Sequence, residues 1–309
     1  MNQKTKLLYI VLLLIAVVLP FQDFIYLVFA MKVLCFALFA CAFNLLLGFT
    51  GLLSFGHAAF FGTAAYITSY FCKELALSPE LGILLGVVGS AALGLLIGSL
   101  AIRRQGIYFA MVTLALSQMV YFLAVQLRFT GGEDGIQGVP RGLLFGIINL
   151  KNDVSMYYFV LAIFLIGFAI IVRTIHSPFG QVLKAIRENE PRAISLGYDV
   201  DRFKLISFVL SAALAGLAGS TKSLVFQLAT LTDVHWHMSG EVVLMTLLGG
   251  MGTVLGPVVG AGIVVGLQNY LANIGSWSTI ATGFIFVICV MAFRRGVVGE
   301  IAARFKIKN

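Results

Sequence analysis

The sequence alternates between long apolar runs and short polar breaks, and this pattern predicts the architecture. A helix that crosses the hydrocarbon core of a bilayer needs about 20 residues. The runs are continuously apolar, whereas strands of membrane barrels alternate apolar and polar residues. We therefore predict an all-α polytopic membrane helix bundle of about ten transmembrane segments, at 7–21, 24–47, 52–72, 81–102, 106–127, 156–172, 204–226, 238–250, 254–272 and 278–293. The short run 238–250 either crosses fully or is a re-entrant half-helix.

Two of the breaks between runs carry the same residue pattern. The pattern occurs twice, 201 positions apart, as Leu46, Leu47, Gly48, Gly51 and as Leu247, Leu248, Gly249, Gly252. Broken helices expose backbone amides that suit a substrate carboxylate. We therefore predict Gly-broken segments and a substrate pathway at Gly48, Gly51, Ser54, Gly56, His57, Gly249, Gly252 and Gly256. For His57, a structural hydrogen bond between helices is the alternative role.

Other glycines recur every four residues within the apolar runs. This spacing puts small residues on one face of a helix, where they let a neighbouring helix approach closely. We predict close helix packing at three such pairs, Gly82 with Gly86, Gly94 with Gly98, and Gly262 with Gly266.

The composition excludes an ordinary soluble domain. Of the 309 residues, 60% are hydrophobic and 11% are charged, whereas soluble domains average about 45–50% apolar and 25% charged residues. The crossings use most of the chain, so we expect residues 1–309 to form a single membrane domain. The cysteines are too scattered for a metal or redox site, and we expect small buried residues at Cys35, Cys41, Cys72 and Cys289.

The distribution of basic residues predicts the orientation. The net charge is +8, and a cytoplasmic N-terminus places 15 of the 21 Lys and Arg residues on the cytoplasmic side, as the positive-inside rule requires. An even number of crossings then places both termini in the cytoplasm. The charge therefore indicates membrane orientation and no nucleic-acid partner. We expect a multi-pass protein of the inner (cytoplasmic) membrane, surrounded by lipid, with an uncleaved first helix.

Two polar segments are long for so apolar a chain. In the cytoplasmic segment 173–204, Val182, Leu183 and Ile186 form an apolar face. Asn189 can cap a second short helix that begins near Pro191. Two amphipathic helices at the membrane surface would suit a cytoplasmic partner, and a solvated connector is the alternative. The external loop 128–155 either contacts a binding protein or caps the bundle.

The sequence contains no motif by which the chain itself would bind a nucleotide or couple transport to ions. It has no G-x-x-x-x-G-K-[ST] nucleotide loop and no Gly-Lys dipeptide. Ion-coupled transport places ionisable groups inside the bundle. Here Lys32, Lys222 and Glu241 fall near the outer ends of the predicted spans. A partner is therefore expected to supply the energy.

Four blocks, in chain order, carry a recognisable pattern. The first is Gly56, His57, Ala58, Phe60 and Gly62, and the second is Thr130, Gly131, Gly132, Asp134, Gly135, Ile136, Gly138, Val139 and Pro140. The third is Ser177, Pro178, Gly180, Ala185–Glu190, Ala193, Leu196, Gly197, Lys204, Phe208, Ser211, Ala212, Ala215, Gly216 and Gly219. The fourth is Gly249, Gly250, Gly252, Thr253, Gly256, Pro257, Gly260 and Ala261. In these residues the chain resembles the ABC-importer permeases for branched-chain amino acids, specifically the LivM-type subunit.

The resemblance implies a permease with no chemistry of its own, working by alternating access. It implies two ABC ATPase subunits that bind ATP, a second homologous permease subunit, and a periplasmic or surface substrate-binding protein. No enzyme activity, cofactor or metal is implied for this chain. The coupling element to the ATPase would be Ala185, Ile186, Arg187, Glu188, Asn189, Glu190, Ala193 and Gly197. In that element Arg187, Glu188 and Glu190 would form charge pairs with the ATPase. Ile186 and Ala193 would fill a groove on the ATPase.

Three alternatives stay open. A permease of the same fold could carry urea, short amides or sugars, because nothing in the sequence reads an aliphatic side chain directly. A self-sufficient ion-coupled secondary carrier is a second alternative. A membrane enzyme is a third, although the runs contain neither paired carboxylates nor an H-E-x-x-H motif.

Overall fold

The computed structural model of the chain describes residues 16–17, 19–21, 26–271, 280, 283–284, 287, 291 and 296–304. The predicted spans 7–21 and 278–293, together with Cys289 and both chain ends, lie wholly or largely outside these residues. Cys35, Cys41 and Cys72 are free and buried, as expected.

The apolar runs fold as helices, as predicted. The principal helices are α1 (Leu27–Asn44), α2 (His57–Lys73), α3 (Pro79–Ala101), α4 (Ile107–Gln126), α5 (Asp153–His176), α6 (Pro178–Glu188), α7 (Glu190–Ser195), α8 (Val200–Phe226), α9 (Leu231–Val234), α10 (Trp236–Gly249), α11 (Gly256–Leu271) and α12 (Gly296–Arg304). A π-helical turn, Leu45–Thr50, continues α1. Among the described residues, α1 with this turn, α3, α4, α5 and α8 are long and apolar enough to cross a membrane.

Three of the predicted spans are shorter helices. Helix α2 has 17 residues and α11 has 16, while α10 has only 14. At 1.5 Å per residue, α10 is about 21 Å long, less than the roughly 30 Å thickness of a bilayer core. The run 238–250 is therefore helical but short.

Helix α8 lies at the centre of the bundle, against α1, α2 and α3. Small residues allow this approach, because a Cβ at Gly219 would meet the carbonyl oxygen of Phe61 in α2. The predicted packing is confirmed in α3. A Cβ at Gly86 would lie 2.9 Å from the carbonyl oxygen of Ala64, and one at Gly98 would lie 2.9 Å from Phe208.

The remaining glycines of the three predicted pairs differ in how closely they are packed. A Cβ at Gly82 would lie 2.5 Å from the sulfur of Cys72, and one at Gly94 would lie 2.5 Å from Ala212, so both allow tight packing. Gly262 has its nearest described neighbour, Val33, at 3.9 Å from such a Cβ. Around Gly266, no described atom lies within 4 Å of that position. The last pair is therefore not tightly packed within the described part of the chain.

At the bundle end opposite α6 and α7, the loop between α4 and α5 folds over α8. It contains the strands β1 (Ile136–Gln137), β2 (Leu143–Leu144) and β3 (Ile148–Asn149), and β1 pairs antiparallel with β4 (Leu228–Ala229), just after α8. Arg141 bonds the carbonyl of Val225 at 2.9 Å and the carboxylate of Asp153 at 2.7 Å. These ladders join loops, so the membrane-spanning runs themselves remain helical, as predicted.

Candidate functional site

The predicted coupling segment, residues 173–204, folds into the two short helices that the sequence predicts. Asn189 caps α7, since its side-chain oxygen accepts a hydrogen bond from the amide of Arg192 at 3.1 Å. The chain turns after α7 at Gly197, whose φ of +86° favours glycine. Ser177 caps α6 in the same way through the amide of Gly180 at 3.3 Å, a cap that the sequence analysis did not identify.

The apolar face of this segment packs against the chain itself. Ile186 is 3% exposed and Ala193 is 1% exposed, and both lie in a small core with Val200, Val182 and Phe203. The sequence analysis expected Ile186 and Ala193 to fill a groove of the ATPase, whereas in the structure both pack within the chain. Apolar periodicity identified a buried face, but the partner of that face is the start of α8.

The charged residues of the segment are also divided between internal and external roles. Glu190 pairs with the buried ammonium of Lys204 at 2.6 Å and accepts a hydrogen bond from Gln105 at 3.1 Å. The sequence analysis expected Glu190 to form a charge pair with the ATPase, whereas in the structure its charge partner is Lys204 of the same chain. Glu188 and Arg192 are exposed, and no described residue forms an ion pair with either side chain.

Exposed apolar side chains surround the end of α7. Leu196 is 66% exposed, Ile194 is 56% exposed, and Tyr198 is also exposed. Ala185 on α6 and the turn at Gly197 are exposed as well. These residues form the surface that a partner could reach, and the sequence did not single out Ile194 or Tyr198, because neither lies on the apolar face of a helix.

Arg187 points from α6 toward the two glycine junctions, which are the chain breaks at Gly48 to Gly51 and at Gly249 to Gly252. Its guanidinium donates a hydrogen bond to the carbonyl oxygen of Gly48, in the π-helical turn. A Cβ at Gly51 would lie 3.0 Å from the Cγ of Arg187, and one at Gly252 would lie 3.1 Å from its Nη1. Coupling residues and pathway residues, predicted separately, thus meet at one side chain.

The two glycine junctions also contact each other directly. The side chain of Asn44 accepts a hydrogen bond from the amide of Gly252 and donates one to the carbonyl of Thr253, both at 2.9 Å. A Cβ at Gly48 would lie 2.6 Å from the amide nitrogen of Gly252. The helical backbone breaks at both junctions, with φ of +81° at Gly51 and +77° at Gly252. The predicted Gly-broken segments are therefore present, and they interlock.

A polar cavity of about 170 Å³ opens beside this junction. Its lining combines the end of the π-helical turn, the α3–α4 connection and the coupling segment, at Thr50, Gly51, Leu52, Gln105, Gly106, Ile186, Arg187, Glu190 and Lys204. Gly51 is the predicted pathway residue that lines it. Two cations and one carboxylate give the lining a net positive charge.

The other predicted pathway residues lie elsewhere or serve packing. Gly249 and Gly256 face each other so closely that a Cβ at Gly249 would meet the carbonyl oxygen of Gly256. Ser54 accepts a hydrogen bond from the amide of Gly56 at 3.1 Å, beside α4. The structure brings Gly48, Gly51 and Gly252 together, whereas Gly56 lies against Thr113 of α4.

His57 is fully buried at the start of α2. Its Nε2 forms a 2.8 Å hydrogen bond with the hydroxyl of Ser211 in α8. The rings of Phe43 and Phe60 lie edge-on to it, with centroids at 4.9 and 5.5 Å. This geometry matches the structural alternative for His57, a hydrogen bond between helices.

A buried ion pair lies at the opposite end of the bundle. The ammonium of Lys222 in α8 contacts both carboxylate oxygens of Asp233 in α9, at 2.9 and 2.7 Å, and Asp233 is 2% exposed. The amide of Thr230 also bonds this carboxylate at 3.2 Å. The sequence placed Lys222 near an outer helix end but did not identify its partner, which lies in the short helix α9. No three His, Cys, Asp or Glu side chains among the described residues could hold a metal ion.

Comparison with known proteins fits this arrangement of helices and polar segments. Residues 25–293 match the family described as the branched-chain amino acid transport system / permease component. The chain belongs to this family. The resemblance to permeases for branched-chain amino acids is thereby confirmed, together with the all-α membrane fold.

This permease is 27% identical to the high-affinity branched-chain amino acid transport system permease protein LivM of Escherichia coli (strain K12), over 99% of the chain and 78% of the relative. It is 29% identical to a probable LivM of Methanocaldococcus jannaschii, over 63% of the chain and 59% of the relative. The ribose import permease protein RbsC of Bacillus subtilis (strain 168) is 29% identical over 58% of each chain. These relatives are transport permeases. No solved structure matches the chain.

Proposed function

We propose that this chain is the transmembrane permease subunit of an ATP-driven importer for branched-chain amino acids in the inner (cytoplasmic) membrane. It works by alternating access, powered by partner ATPase subunits. Two observations support this function. The family and the LivM relatives are permeases of that system, and Arg187 of the segment expected to meet the ATPase reaches the broken helices expected to line the pathway.

The complete transporter contains two ABC ATPase subunits, a second homologous permease subunit and a periplasmic or surface binding protein. ATP is bound by the partner ATPases. The ATPase docks on the exposed part of the coupling segment, where Glu188 and Arg192 offer charges and Ile194, Leu196 and Tyr198 offer apolar contact. This assignment replaces Ile186, Ala193 and Glu190, whose side chains are engaged within the chain.

The substrate pathway ends at the interlocked junctions of Gly48, Gly51 and Gly252, beside the polar cavity. Backbone groups at broken helices and the net positive lining suit a carboxylate. Gly249 and Gly256 hold the second junction together. Ser54, Gly56 and His57 support α2, the helix that follows the first junction.

Ten crossings with both termini in the cytoplasm remain our topology. The described helix α12 supports it, because a Cβ at Gly296 would meet the backbone of Gly250, beside the junction that Arg187 contacts. The start of α12 and the coupling segment thus lie at one end of the bundle. That end faces the cytoplasm.

The loop 128–155 lies at the opposite end and faces the binding protein. A cavity of about 480 Å³ opens there, lined by Tyr70, Lys73, Glu74, Arg128, Phe129, Gly131, Gly135 and Ile136. The strand pairing of β1 with β4 holds the loop on α8, so the loop both caps the bundle and presents charged groups to a docking partner.

The function is tested by reconstituting the chain in proteoliposomes with two ABC ATPase subunits, a second permease subunit and a substrate-binding protein. We expect ATP-dependent uptake of labelled leucine, with isoleucine and valine competing and with urea and ribose not competing. Competition by ribose or urea instead would identify a same-fold permease for another cargo. Accumulation by the purified subunit alone, driven by an ion gradient, would identify a secondary carrier.

The docking surface is tested with Glu188→Lys and the control Glu133→Lys, which lies on the exposed loop at the opposite end. Reversing the charge at a docking surface introduces like-charge repulsion, which weakens association. We expect Glu188→Lys to lose ATPase co-purification and uptake while insertion is retained, and Glu133→Lys to keep ATPase binding. Equal ATPase binding by the two variants would show that the segment is only a solvated connector.

A further inference from the structure

Arg187 is bonded to a backbone carbonyl at the end of a helix. The last four carbonyl groups of a helix lack helical partners, and the turn Leu45–Thr50 is the last turn before the chain breaks at Gly51. The guanidinium of Arg187 supplies a donor to one of these groups, the carbonyl of Gly48. A charged donor forms a stronger hydrogen bond than a neutral one.

The path of the Arg187 side chain depends on two glycines. Gly51 borders the aliphatic stem and Gly252 borders the guanidinium, and a Cβ at either would lie about 3 Å from Arg187. Both glycines have positive φ, which side-chain-bearing residues rarely adopt. The side chain therefore contacts both junctions at once, although these belong to connections about 200 residues apart in the sequence.

The junctions themselves behave as one unit, because Asn44 bonds the backbone at Gly252 and at Thr253. Helix α6 is also tied to the start of α8 by the buried contacts of Ile186. A displacement of α6 along the bundle must therefore either break the Arg187 hydrogen bond or carry the two junctions with it.

We propose that Arg187 is the positioning residue that ties α6 to both glycine junctions, so that a motion of α6 driven by the partner ATPase moves the inner end of the pathway. This inference rests on the proposed function. It goes beyond it by assigning the transmission of motion to one side chain and one carbonyl, where a general docking surface would need neither.

The experiment compares Arg187→Met, Arg187→Lys and the control Arg103→Met in the reconstituted transporter. Methionine keeps an apolar stem but has no donor. Lysine keeps one charged donor without the planar fork of arginine. Arg103 is an exposed arginine in the α3–α4 connection, at the same end of the bundle, and its side chain has no ion-pair or hydrogen-bond partner among the described residues. The measurements are substrate imported per ATP hydrolysed, ATPase co-purification and thermal stability of the complex.

We expect Arg187→Met to import about tenfold less substrate per ATP hydrolysed, which is a change of about 1.4 kcal/mol and matches the loss of one charge-assisted hydrogen bond. ATPase binding and thermal stability should stay as in Arg103→Met. Arg187→Lys should lie between Arg187→Met and the unsubstituted chain, because it can still donate to Gly48. A structural role alone would leave the ratio of substrate to ATP unchanged in the complexes that assemble.

The proposal is overturned if Arg187→Met keeps the unsubstituted ratio, or if Arg103→Met lowers it equally. Should Arg187→Met fail to assemble, Arg187→Lys decides: an unsubstituted ratio contradicts the proposal, and a reduced ratio with full ATPase binding supports it. Failure of the proposed function is a separate result, since the unsubstituted complex would then show no ATP-dependent uptake at all.

Discussion

The ion pair between Lys222 and Asp233 allows a quantitative prediction about stability. Both charges are buried, and the Asp233 carboxylate is contacted on both oxygens by the Lys222 ammonium. The substitution Lys222→Met keeps the length and apolar stem of the side chain and removes its charge. It leaves a carboxylate without a counter-ion at a site that water barely reaches.

The size of the effect follows from this geometry. Removing one partner of a buried ion pair costs about 3–5 kcal/mol, because the remaining charge is unpaired and desolvated. Asp233 retains hydrogen bonds from the amide and hydroxyl of Thr230, at 3.2 and 3.1 Å, so we expect about 3 kcal/mol, the lower end of that range. At about 2–4 °C per kcal/mol for chains somewhat shorter than this one, the melting temperature should fall by about 6–12 °C.

The assay is the thermal stability of the purified protein, followed by size-exclusion chromatography after heating. Lys151→Met is the control, because Lys151 is exposed in the loop at the same bundle end. The double variant Lys222→Met with Asp233→Leu removes both charges and should recover much of the lost stability. The reasoning is refuted if Lys222→Met melts like Lys151→Met, or if the double variant is less stable than Lys222→Met.

Two further substitutions test how α8 packs. Ser211→Ala removes the hydrogen bond to His57 Nε2 while Nδ1 of the same ring already lacks a partner, so it should cost about 1–3 kcal/mol, visible as a lower melting temperature. Gly219→Ala pushes a methyl group into the carbonyl of Phe61, and we expect less assembled protein on size-exclusion chromatography. Gly266→Ala, which meets no described atom within 4 Å, should assemble normally, and equal loss in both glycine variants would contradict the packing argument.

Much of the architecture could be predicted because single helices are encoded locally. Apolar runs gave the positions of the long helices, and capping residues such as Asn189 gave the start of α7. The two glycine junctions were also visible, since glycine at Gly51 and Gly252 adopts positive φ where the chain breaks. Each of these signals lies within a few residues of the feature that it predicts.

The sequence does not show which surface a residue faces. Ile186 has the periodicity of a buried residue, but periodicity does not tell whether the covering surface belongs to the same chain or to a partner. Glu190 is neutralised by Lys204 and accepts a hydrogen bond from Gln105, and Gln105 lies in a connection between helices far along the sequence. Asp233 likewise approaches Lys222 only through the fold. One sequence contains no record of such distant pairings.

The bonds that close the two ends of the bundle constrain how the protein can be synthesised. The carbonyl that Arg141 bonds is synthesised 84 residues after Arg141, and the amide that Asn44 bonds is synthesised 208 residues after Asn44. At translation rates of about 5–20 residues per second, these intervals are roughly 4–17 and 10–40 s. The side-chain amide of Asn44 is buried in the folded protein. In a nascent chain at the translocon, it lacks its partner Gly252 through most of the synthesis. Chaperoning by lipid or insertase is needed longest at that residue.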